Sequence, residues 1–136
     1  MNLINHLKKN GYRITTSREI ICNILEKAGH EHFTADSLFQ LAREHTQDID
    51  LTTIYRTFEV LEELNIIEHS HQAHSSGIYY LKEHQTSTHI ACEKCGKIED
   101  ISNNIISKVN ELIIKDTGYK IEKNHFVYSG ICKKCK

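Results

Sequence analysis

Several features that define other classes of protein are missing from this sequence. None of its 136 residues is proline, and no apolar run reaches the roughly 18 residues that a membrane-spanning helix needs. No charged leader followed by an apolar segment is present, so we expect a cytoplasmic protein. In a reducing compartment, closely spaced cysteines bind metal or carry out redox chemistry more often than they form disulfides.

The sequence also lacks the motifs of enzymes that use paired cysteines. Zinc-dependent deaminases require H-x-E upstream of P-C-x-x-C, and neither segment occurs. There is no glycine-rich phosphate loop and no serine-nucleophile motif, and the βαβ pattern of a thioredoxin-like oxidoreductase is absent around the C-x-x-C segments. We therefore expect a protein that is not an enzyme, with a metalloenzyme or a redox dithiol as the alternative.

The charge balance does not favour nucleic-acid binding. The formal net charge is −1, and residues 1–64 contain seven Lys and Arg against ten Asp and Glu. Because a nucleic-acid-binding domain usually has a basic excess, any contact with DNA must come from a local basic face. The acidic balance keeps open the alternative of a zinc-stapled interaction module that does not bind DNA.

The most specific pattern is a pair of C-x-x-C segments, Cys92-E-K-Cys95 and Cys132-K-K-Cys135. Each segment can present two thiolates to one ion, and four thiolates complete the tetrahedral coordination of a structural zinc site. Zinc binding of this kind can contribute on the order of 10 kcal/mol to folding. The fifth cysteine, Cys22, lies on the apolar stripe of a predicted helix and is expected to be part of the core.

Apolar periodicity predicts a winged helix-turn-helix domain over residues 1–81. The i, i+3, i+4 pattern indicates three helices, and two short strands follow around a polar turn. The helices are predicted at residues 16–27, 34–45 and 52–64, and the strands at 66–71 and 77–81. The last helix is the candidate DNA reader, because an α-helix fits the major groove of B-DNA.

The candidate DNA-binding residues lie on that helix and in a turn before residue 16. Thr52 or Thr53 is predicted to cap the helix, and both belong to the candidate surface. Tyr55 and Arg56 project to its solvent face, where Arg can contact guanine or phosphate and Tyr a thymine methyl group. Arg13, in the segment G-Y-R-I-T, is a candidate for the minor groove or for a phosphate.

The rest of the chain predicts a small dimerisation and metal-binding domain over residues 89–136, preceded by a polar hinge at 82–88. Strands are predicted at 89–92, 97–101 and 119–129, with an amphipathic helix over 102–115. A segment of about fifty residues lacks the core to fold alone. We therefore expect a zinc staple and a homodimer, and the expected fold class of the whole chain is α+β.

Histidine is in surplus, with ten residues in the chain, and several lie around the predicted hinge. His69 and His71 have the i, i+2 spacing that places two side chains on one face of a strand, and His74 follows in the turn. Imidazole binds zinc, nickel, copper and iron, so these residues are candidates for a second, regulatory metal site. The further candidates are His32, His84, His89 and His125.

Four segments, in order, carry a resemblance to a known family. They are G-Y-R-I-T-T-S-R, H-F-T-A-D-S-L-F, L-T-T-I-Y-R-T-F and H-I-A-C-E-K-C-G-K-I-E-D, and the second C-x-x-C completes the series. The chain thereby resembles the ferric uptake regulator (Fur) family along nearly its whole length. The resemblance implies a homodimeric winged-helix repressor that binds an AT-rich palindromic operator in double-stranded DNA when a regulatory metal is bound at the hinge.

The resemblance also implies ligands for the regulatory ion. His32, His89 and Asp100 match the hinge site of the family. The usual histidine-rich run is replaced here by H-Q-T-S-T-H, in which His84 is a substitute ligand if the loop shifts. Tyr80 stands where an acidic or histidine ligand is usual. Ligands shared by the two domains would couple metal binding to the spacing of the two reading helices in the dimer.

The wing resembles particular branches of the family. The segment H-S-H-Q-A-H at residues 69–74 is similar to the wing of the nickel-sensing branch (Nur), and His125 matches the third ligand of that branch. Glu68 instead resembles an acidic ligand of the zinc-sensing branch (Zur). Arg56 resembles the Fur, Zur and Nur branches, whereas the peroxide sensors (PerR) usually have asparagine there. We therefore expect control of metal homeostasis genes by nickel or zinc, with iron or manganese as the alternative.

Overall fold

The structure is a computed structural model, and it describes residues 2–29, 31–71, 76–82, 88–122 and 127–136. The chain divides into two compact units. The first consists of Met1–His69 with Gly77–His84, and the second of Ser70–Ser76 with Gln85–Lys136. Helices and small sheets are both present, so the α+β class is confirmed. The first unit differs from the predicted 1–81 domain because Ser70–Ser76 groups with the second unit.

The first unit begins with α1 (Leu3–Lys9), a helix that is absent from the sequence-based prediction. Asn2 caps its start and accepts the backbone N–H of Asn5 at 2.9 Å. Leu3 and Leu7 form its buried face. Two apolar side chains one turn apart are too short a pattern for periodicity to indicate a helix.

Helix α2 (Thr16–Ala28) begins and ends within one residue of its predicted limits. Thr15 is the N-cap, and its hydroxyl accepts the backbone N–H of Arg18 at 3.2 Å. Cys22 is completely buried, as predicted, and burial raises the pKa of its thiol to about 12. This cysteine is therefore a core residue with no part in the metal chemistry.

Helix α3 (Ala35–Arg43) starts at the predicted position because Thr34 and Ser37 form a reciprocal capping box. Leu38 is buried in the core, whereas Leu41 is exposed. The helix ends two residues before the predicted limit.

Helix α4 (Leu51–Glu63) is the predicted reading helix, but its predicted cap is wrong. Asp50, not Thr52 or Thr53, is the N-cap: its carboxylate accepts the backbone N–H and the hydroxyl of Thr53 at 2.8 and 2.9 Å. A carboxylate accepts a backbone N–H more strongly than a threonine hydroxyl does, and its negative charge is favoured at the start of a helix. The buried face of α4 consists of Ile54, Thr57, Phe58 and Leu61.

The wing consists of β1 (Ile67–Ser70) and β2 (Ile78–Leu81), which pair as a two-stranded sheet close to the predicted positions. Tyr79 joins the wing to the helices. Its backbone exchanges hydrogen bonds with Phe33 at 2.6 and 2.8 Å, and its ring stacks on Phe58 of α4 with centroids 3.9 Å apart. The wing is thus packed directly against the reading helix.

The second unit contains a three-stranded sheet of β3 (His89–Cys92), β4 (Ile98–Asp100) and β5 (Val127–Gly130), in the order β4-β3-β5. Strand β3 pairs with β4 in antiparallel fashion and with β5 in parallel fashion. The predicted strand over 119–129 is wrong in its first part, because residues 119–122 have no regular structure. Their apolar alternation arises from side chains such as Tyr119, which is exposed.

Helix α5 (Asn103–Thr117) is capped by Ser102 and ends at Gly118, whose φ of 73° is the left-handed conformation that favours glycine. None of its residues is buried. Its exposed apolar residues are Ile105, Leu112, Ile113 and Ile114. An amphipathic helix with its apolar side in solvent is incomplete as a monomer. Among the described residues, no helix is long and apolar enough to cross a membrane.

Candidate metal centres and nucleic-acid surface

The four predicted zinc ligands come together in the second unit. Cys92 is the last residue of β3, and the parallel register pairs it with Gly130 at the end of β5. Each C-x-x-C segment then turns back on itself: the N–H of Gly96 donates to the carbonyl of Cys92 at 2.9 Å, and the N–H of Cys135 to that of Cys132 at 3.0 Å. Two adjacent parallel strands therefore place the two turns side by side.

The sulfur geometry fits a tetrahedral zinc ion. The four Sγ atoms all lie within 4.8 Å of one another, and Cys95 Sγ lies 3.7 Å from Cys132 Sγ. Zinc–sulfur bonds of about 2.3 Å place neighbouring thiolates about 3.8 Å apart in a tetrahedron. Cys92, Cys95, Cys132 and Cys135 can therefore hold one ion with little movement, and four thiolates leave it no open position for catalysis.

The thiols of this cluster differ in acidity because their hydrogen bonds differ. Backbone N–H groups donate to Cys92 Sγ from Cys132 at 3.3 Å and from Cys95 at 3.5 Å, and they lower the pKa of Cys92 to about 6. Hydrogen bonding to the thiols of Cys132 and Cys95 raises the pKa of Cys135 to about 12. Cys92 is thus set up as a thiolate, the form that binds metal.

His89 and Asp100, both predicted ligands of the regulatory ion, meet across the antiparallel pair of β3 and β4. Nε2 of His89 lies 3.1 Å from Oδ1 of Asp100, and the imidazole is completely buried whereas the carboxylate is partly exposed. A carboxylate in this position either shares a metal ion with the imidazole or fixes its orientation. Both roles make the pair a candidate metal centre within the second unit.

The structure places His32 in the first unit, between α2 and α3, with its ring 5.5 Å from that of Tyr80 in an edge-on arrangement. Tyr80 is 1% exposed. The position where the family usually has an acidic or histidine ligand is therefore filled by an aromatic side chain of the core.

The two wing histidines belong to different units and are described separately. His69, on β1, makes a hydrogen bond through Nδ1 with Oε2 of Glu62 at 2.9 Å, and its ring lies 5.3 Å from that of Tyr79. His71 follows the end of β1, is exposed, and accepts the backbone N–H of Val127 at 2.8 Å through its carbonyl. The sequence gives no signal for the contact with Glu62, which joins the wing to α4.

Two predicted ligands, His84 and His125, lie outside the described residues, as do His74 and residues 83–87 of the predicted hinge. Their assignment to the regulatory site rests on the sequence alone.

The candidate DNA-binding residues of α4 occupy its first two turns. Thr52, Tyr55 and Arg56 are exposed on the helix, and Tyr55 is 46% exposed despite its large apolar ring. Thr53 is half-buried, and its hydroxyl is engaged by Asp50 in the cap. An exposed Tyr–Arg pair beside a helix start is chemically suited to contact base edges and phosphates.

Arg13 lies exposed in the turn between α1 and α2, as predicted. Its backbone carbonyl accepts a hydrogen bond from Nη1 of Arg18 at 2.8 Å. The preceding residue, Tyr12, donates its hydroxyl to Oε2 of Glu63 at 3.1 Å. Sequence patterns did not reveal Arg18 or Glu63, because contacts of a side chain with a turn or a distant helix leave no periodic signal.

Comparisons of the whole chain with known proteins agree with this fold. The sequence model of the ferric uptake regulator family matches residues 9–129. The chain belongs to the ferric uptake regulator family. Members of the Fur family are metal-responsive transcription regulators that bind DNA and form dimers, and such regulators are not enzymes.

Relatives within the Fur family include more than one kind of sensor. The chain is 28% identical to the ferric uptake regulation protein of Bacillus subtilis over 141 residues, covering 98% of this chain and 95% of the relative. It is 32% identical to the peroxide-responsive repressor PerR of Staphylococcus epidermidis, covering 98% of this chain and 87% of the relative. The relatives of this Fur-family chain thus include both ferric uptake regulators and peroxide-responsive repressors.

Solved structures show the same fold. The Helicobacter pylori ferric uptake regulator, described as having three functional metal-binding sites, matches with a TM-score of 0.76 and 24% identity over 98% of this chain and 88% of that one. The Francisella tularensis regulator with iron also gives a TM-score of 0.76, at 23% identity over 92% and 95% of the two chains. At these identities the likeness shows the Fur fold alone.

Proposed function

We propose that this Fur-family chain is a metal-dependent transcriptional repressor of metal homeostasis genes, with one structural zinc ion and one exchangeable regulatory ion per chain. The observation that carries the proposal is the separation of two unlike donor sets. Four thiolates close around one position, whereas the pair of His89 and Asp100 offers nitrogen and oxygen donors elsewhere in the same unit. A closed sulfur site suits a permanent ion, and a mixed site suits one that exchanges.

The structural ion is proposed to be zinc. Four thiolates favour zinc over harder divalent ions, and the 3.7 Å separation of Cys95 and Cys132 agrees with its bond lengths. The second unit also needs this staple, because its helix α5 contributes no buried residue to a core.

The regulatory ion is proposed to take His89 and Asp100 as ligands, joined by His32 on the family resemblance. The wing histidines His69 and His71 are further candidates, together with His84 and His125. An imidazole-rich set favours nickel or zinc over iron, and iron over manganese. This order concerns the regulatory ion only and leaves the structural zinc unaffected.

The DNA partner is proposed to be an AT-rich palindromic operator bound by a homodimer. Arg56 and Tyr55 present an exposed face at the start of α4, and two such helices related by twofold symmetry fit two half-sites about one helical turn, or a multiple, apart. The exposed apolar side of α5 is the candidate dimer surface, because association would remove its exposed isoleucine and leucine side chains from water.

Repression would follow from population shift. If the ion binds better to the protein form that fits the operator, it raises operator affinity, and the operator raises ion affinity by the same factor. Coupling free energies of this kind are typically about 1–3 kcal/mol, or about 5- to 150-fold in affinity.

Metal analysis combined with DNA binding tests the proposal. The purified chain is analysed for metal before and after mild chelation, and each form is titrated onto a duplex with an AT-rich palindrome. We expect one zinc ion per chain to resist chelation, a second ion to be removed, and operator affinity to fall with the second ion. Equal affinity of both forms for the duplex would contradict the proposal.

A second candidate is a zinc-stapled interaction module without DNA binding, which the acidic balance of residues 1–64 favours. The salt dependence of duplex binding separates the two functions. A DNA-binding protein releases counterions and loses affinity steeply as salt rises, whereas an interaction module shows no measurable binding to the duplex at any salt concentration.

A further inference from the structure

The turn that carries Arg13 is held in place from two directions. Gly11 begins the turn with a φ of 82°, and the N–H of Tyr12 donates to the carbonyl of Leu7 at 3.0 Å, which fixes the turn to the end of α1. Two side-chain contacts then reach it from α2 and α4. Arg18 donates to the Arg13 carbonyl at 2.8 Å, and Glu63 accepts the Tyr12 hydroxyl at 3.1 Å.

Arg18 occupies a position that is unfavourable for a cation. It lies in the first turn of α2, three residues after the N-cap Thr15, where the partial positive charge of the helix end repels a guanidinium. Its hydrogen bond to the Arg13 carbonyl provides a compensating interaction. Residues that are unfavourable for their place in a helix are expected mainly at functional or strained sites. Arg18 is such a residue, and it donates a hydrogen bond to the backbone of the turn that carries Arg13.

Glu63 shows the opposite departure from preference. It is the last residue of α4, where the partial negative charge of the helix end disfavours a carboxylate, and the last turn contains no basic residue. Its contact with Tyr12 spans 51 residues of sequence. The hydrogen bond to Glu63 raises the pKa of Tyr12. The contact therefore ties the turn to the reading helix.

Both contacts lie at the surface, where a hydrogen bond competes with water and contributes little to stability. Their effect is instead geometric. Arg13 is presented by a turn whose backbone is fixed to α2, and the neighbouring Tyr12 fixes the same turn to the helix that carries Tyr55 and Arg56.

We propose that Arg18, Tyr12 and Glu63 are positioning residues for DNA binding. Arg18 holds the turn that presents Arg13, and the Tyr12–Glu63 hydrogen bond holds that turn at a fixed place relative to α4. The turn and the reading helix thus engage one half-site as a single rigid surface. This inference rests on the proposed operator binding and adds the residues that organise it.

A double-mutant cycle tests the role of Arg18. It uses the full chain with zinc in excess, so that the structural and the exchangeable sites are both filled, and a palindromic duplex selected in vitro by the wild-type protein. Arg13→Ala removes the presented side chain, and Arg18→Ala removes its support. We expect Arg18→Ala to lower duplex affinity about tenfold in the wild-type background and to have no further effect in the Arg13→Ala background, because contacting residues couple in this way. Arg43→Ala, on α3, serves as the matched arginine control and leaves affinity within about twofold of wild type.

The alternative role for Arg18 is a direct phosphate contact. In that case Arg18→Ala lowers affinity further in the Arg13→Ala background and reduces the slope of log affinity against log salt by about one. Either result overturns the positioning role.

Two variants of Glu63 provide a second test of the positioning role, which holds even if the Arg18→Ala protein does not fold. Glu63→Gln and Glu63→Ala remove the same charge, but only glutamine retains an oxygen that accepts the Tyr12 hydroxyl. We expect Glu63→Ala to bind the duplex several-fold more weakly than Glu63→Gln, and Tyr12→Phe to abolish the difference between them. Equal affinities of the two Glu63 variants for the duplex would show that the Tyr12–Glu63 hydrogen bond does not position the turn.

The failure of this inference is distinguishable from failure of the proposed function. If Arg13→Ala leaves affinity unchanged while Arg56→Ala lowers it, the positioning role is wrong and operator binding stands. If the wild-type chain selects no duplex in the presence of metal, the proposed function itself is wrong, and the inference falls with it.

Discussion

The imidazole of His89 and the carboxylate of Asp100 face each other across two antiparallel strands, with Nε2 and Oδ1 3.1 Å apart. The histidine is completely buried and the aspartate reaches solvent. A buried imidazole joined to a partly exposed carboxylate has the composition of a metal centre that can exchange its ion with the surroundings.

Replacement of this carboxylate is expected to weaken the exchangeable ion alone. Asp100→Asn removes a negatively charged ligand but keeps the shape of the side chain. We expect metal affinity to fall at least as much as on loss of an outer partner of a ligand, which typically costs about 10- to 100-fold. Competition titration with a chelating dye measures the affinity. The adjacent Glu99→Gln is the control, since Glu99 is exposed and pairs only weakly with Lys97 at 3.7 Å. Similar losses in both variants would contradict a specific site.

Loss of one zinc thiolate is expected to unfold the second unit. Cys95→Ser replaces a thiolate by a poor zinc ligand. Because zinc binding contributes much of the folding free energy of such a small unit, loss of the ion should unfold it. Zinc content and thermal unfolding of the purified variant report the effect. Cys22→Ala, at a buried cysteine outside the cluster, is expected to retain one zinc ion per chain. A zinc-free Cys22→Ala protein would show that the assignment of the ligands is wrong.

The dimer surface is expected to depend on the apolar side of α5. Leu112 is 68% exposed, and Leu112→Glu would place a charge in the middle of the proposed interface, where its desolvation opposes association. Sedimentation equilibrium should show a monomer for this variant and a dimer for the wild type. Asn104→Glu introduces the same charge on the side of the helix that carries Lys108 and Glu111, and it should remain dimeric. A dimeric Leu112→Glu protein would exclude this surface.

The free energy of unfolding is expected to fall in alkaline solution because of the buried thiol of Cys22. Burial raises its pKa to about 12, from about 8.5 in an unfolded chain. The folded protein therefore holds the thiol proton more tightly, and this contribution to stability is complete below about pH 8.5 and disappears as the pH rises towards 12. Urea unfolding across this range should show a steeper decline for the wild type than for Cys22→Ala. Parallel declines would contradict the assignment.

The start of α4 is expected to be sensitive to acid through Asp50. Hydrogen bonds from the backbone N–H and the hydroxyl of Thr53 lower the pKa of Asp50. Its contribution is therefore present above about pH 4, the unfolded value, and is lost as the pH falls through the lower folded value. Asp50→Asn keeps a capping oxygen and should remain more stable at neutral pH than Asp50→Ala. Equal melting temperatures of the two variants would contradict the cap.

The elements that the sequence predicts are those with long or chemically specific signals. Two C-x-x-C segments identify the zinc cluster because few other arrangements use that spacing, and α2 and β3 follow from periodicity and caps. The expectation that Cys22 belongs to the core is confirmed, because a residue on the apolar stripe of a helix packs inward. The assignment of the regulatory ligands stays a prediction.

The remainder depends on contacts between residues that are distant in sequence. Glu62 meets His69 only because the wing folds back on α4, and Glu63 meets Tyr12 across 51 residues. Helix α1 is missed because its buried face is a single pair of leucines. The strand expected over 119–129 fails in its first part because exposed side chains can alternate in character without a sheet.

The most direct test of the account measures the affinity of the exchangeable ion twice, with and without a saturating operator duplex. Reciprocal coupling requires the duplex to tighten ion binding by the same factor by which the ion tightens duplex binding, and His89→Ala should abolish both effects while one zinc ion per chain remains. Identical ion affinities in the two conditions would show that metal binding and DNA binding are independent, and the proposed regulation would be wrong.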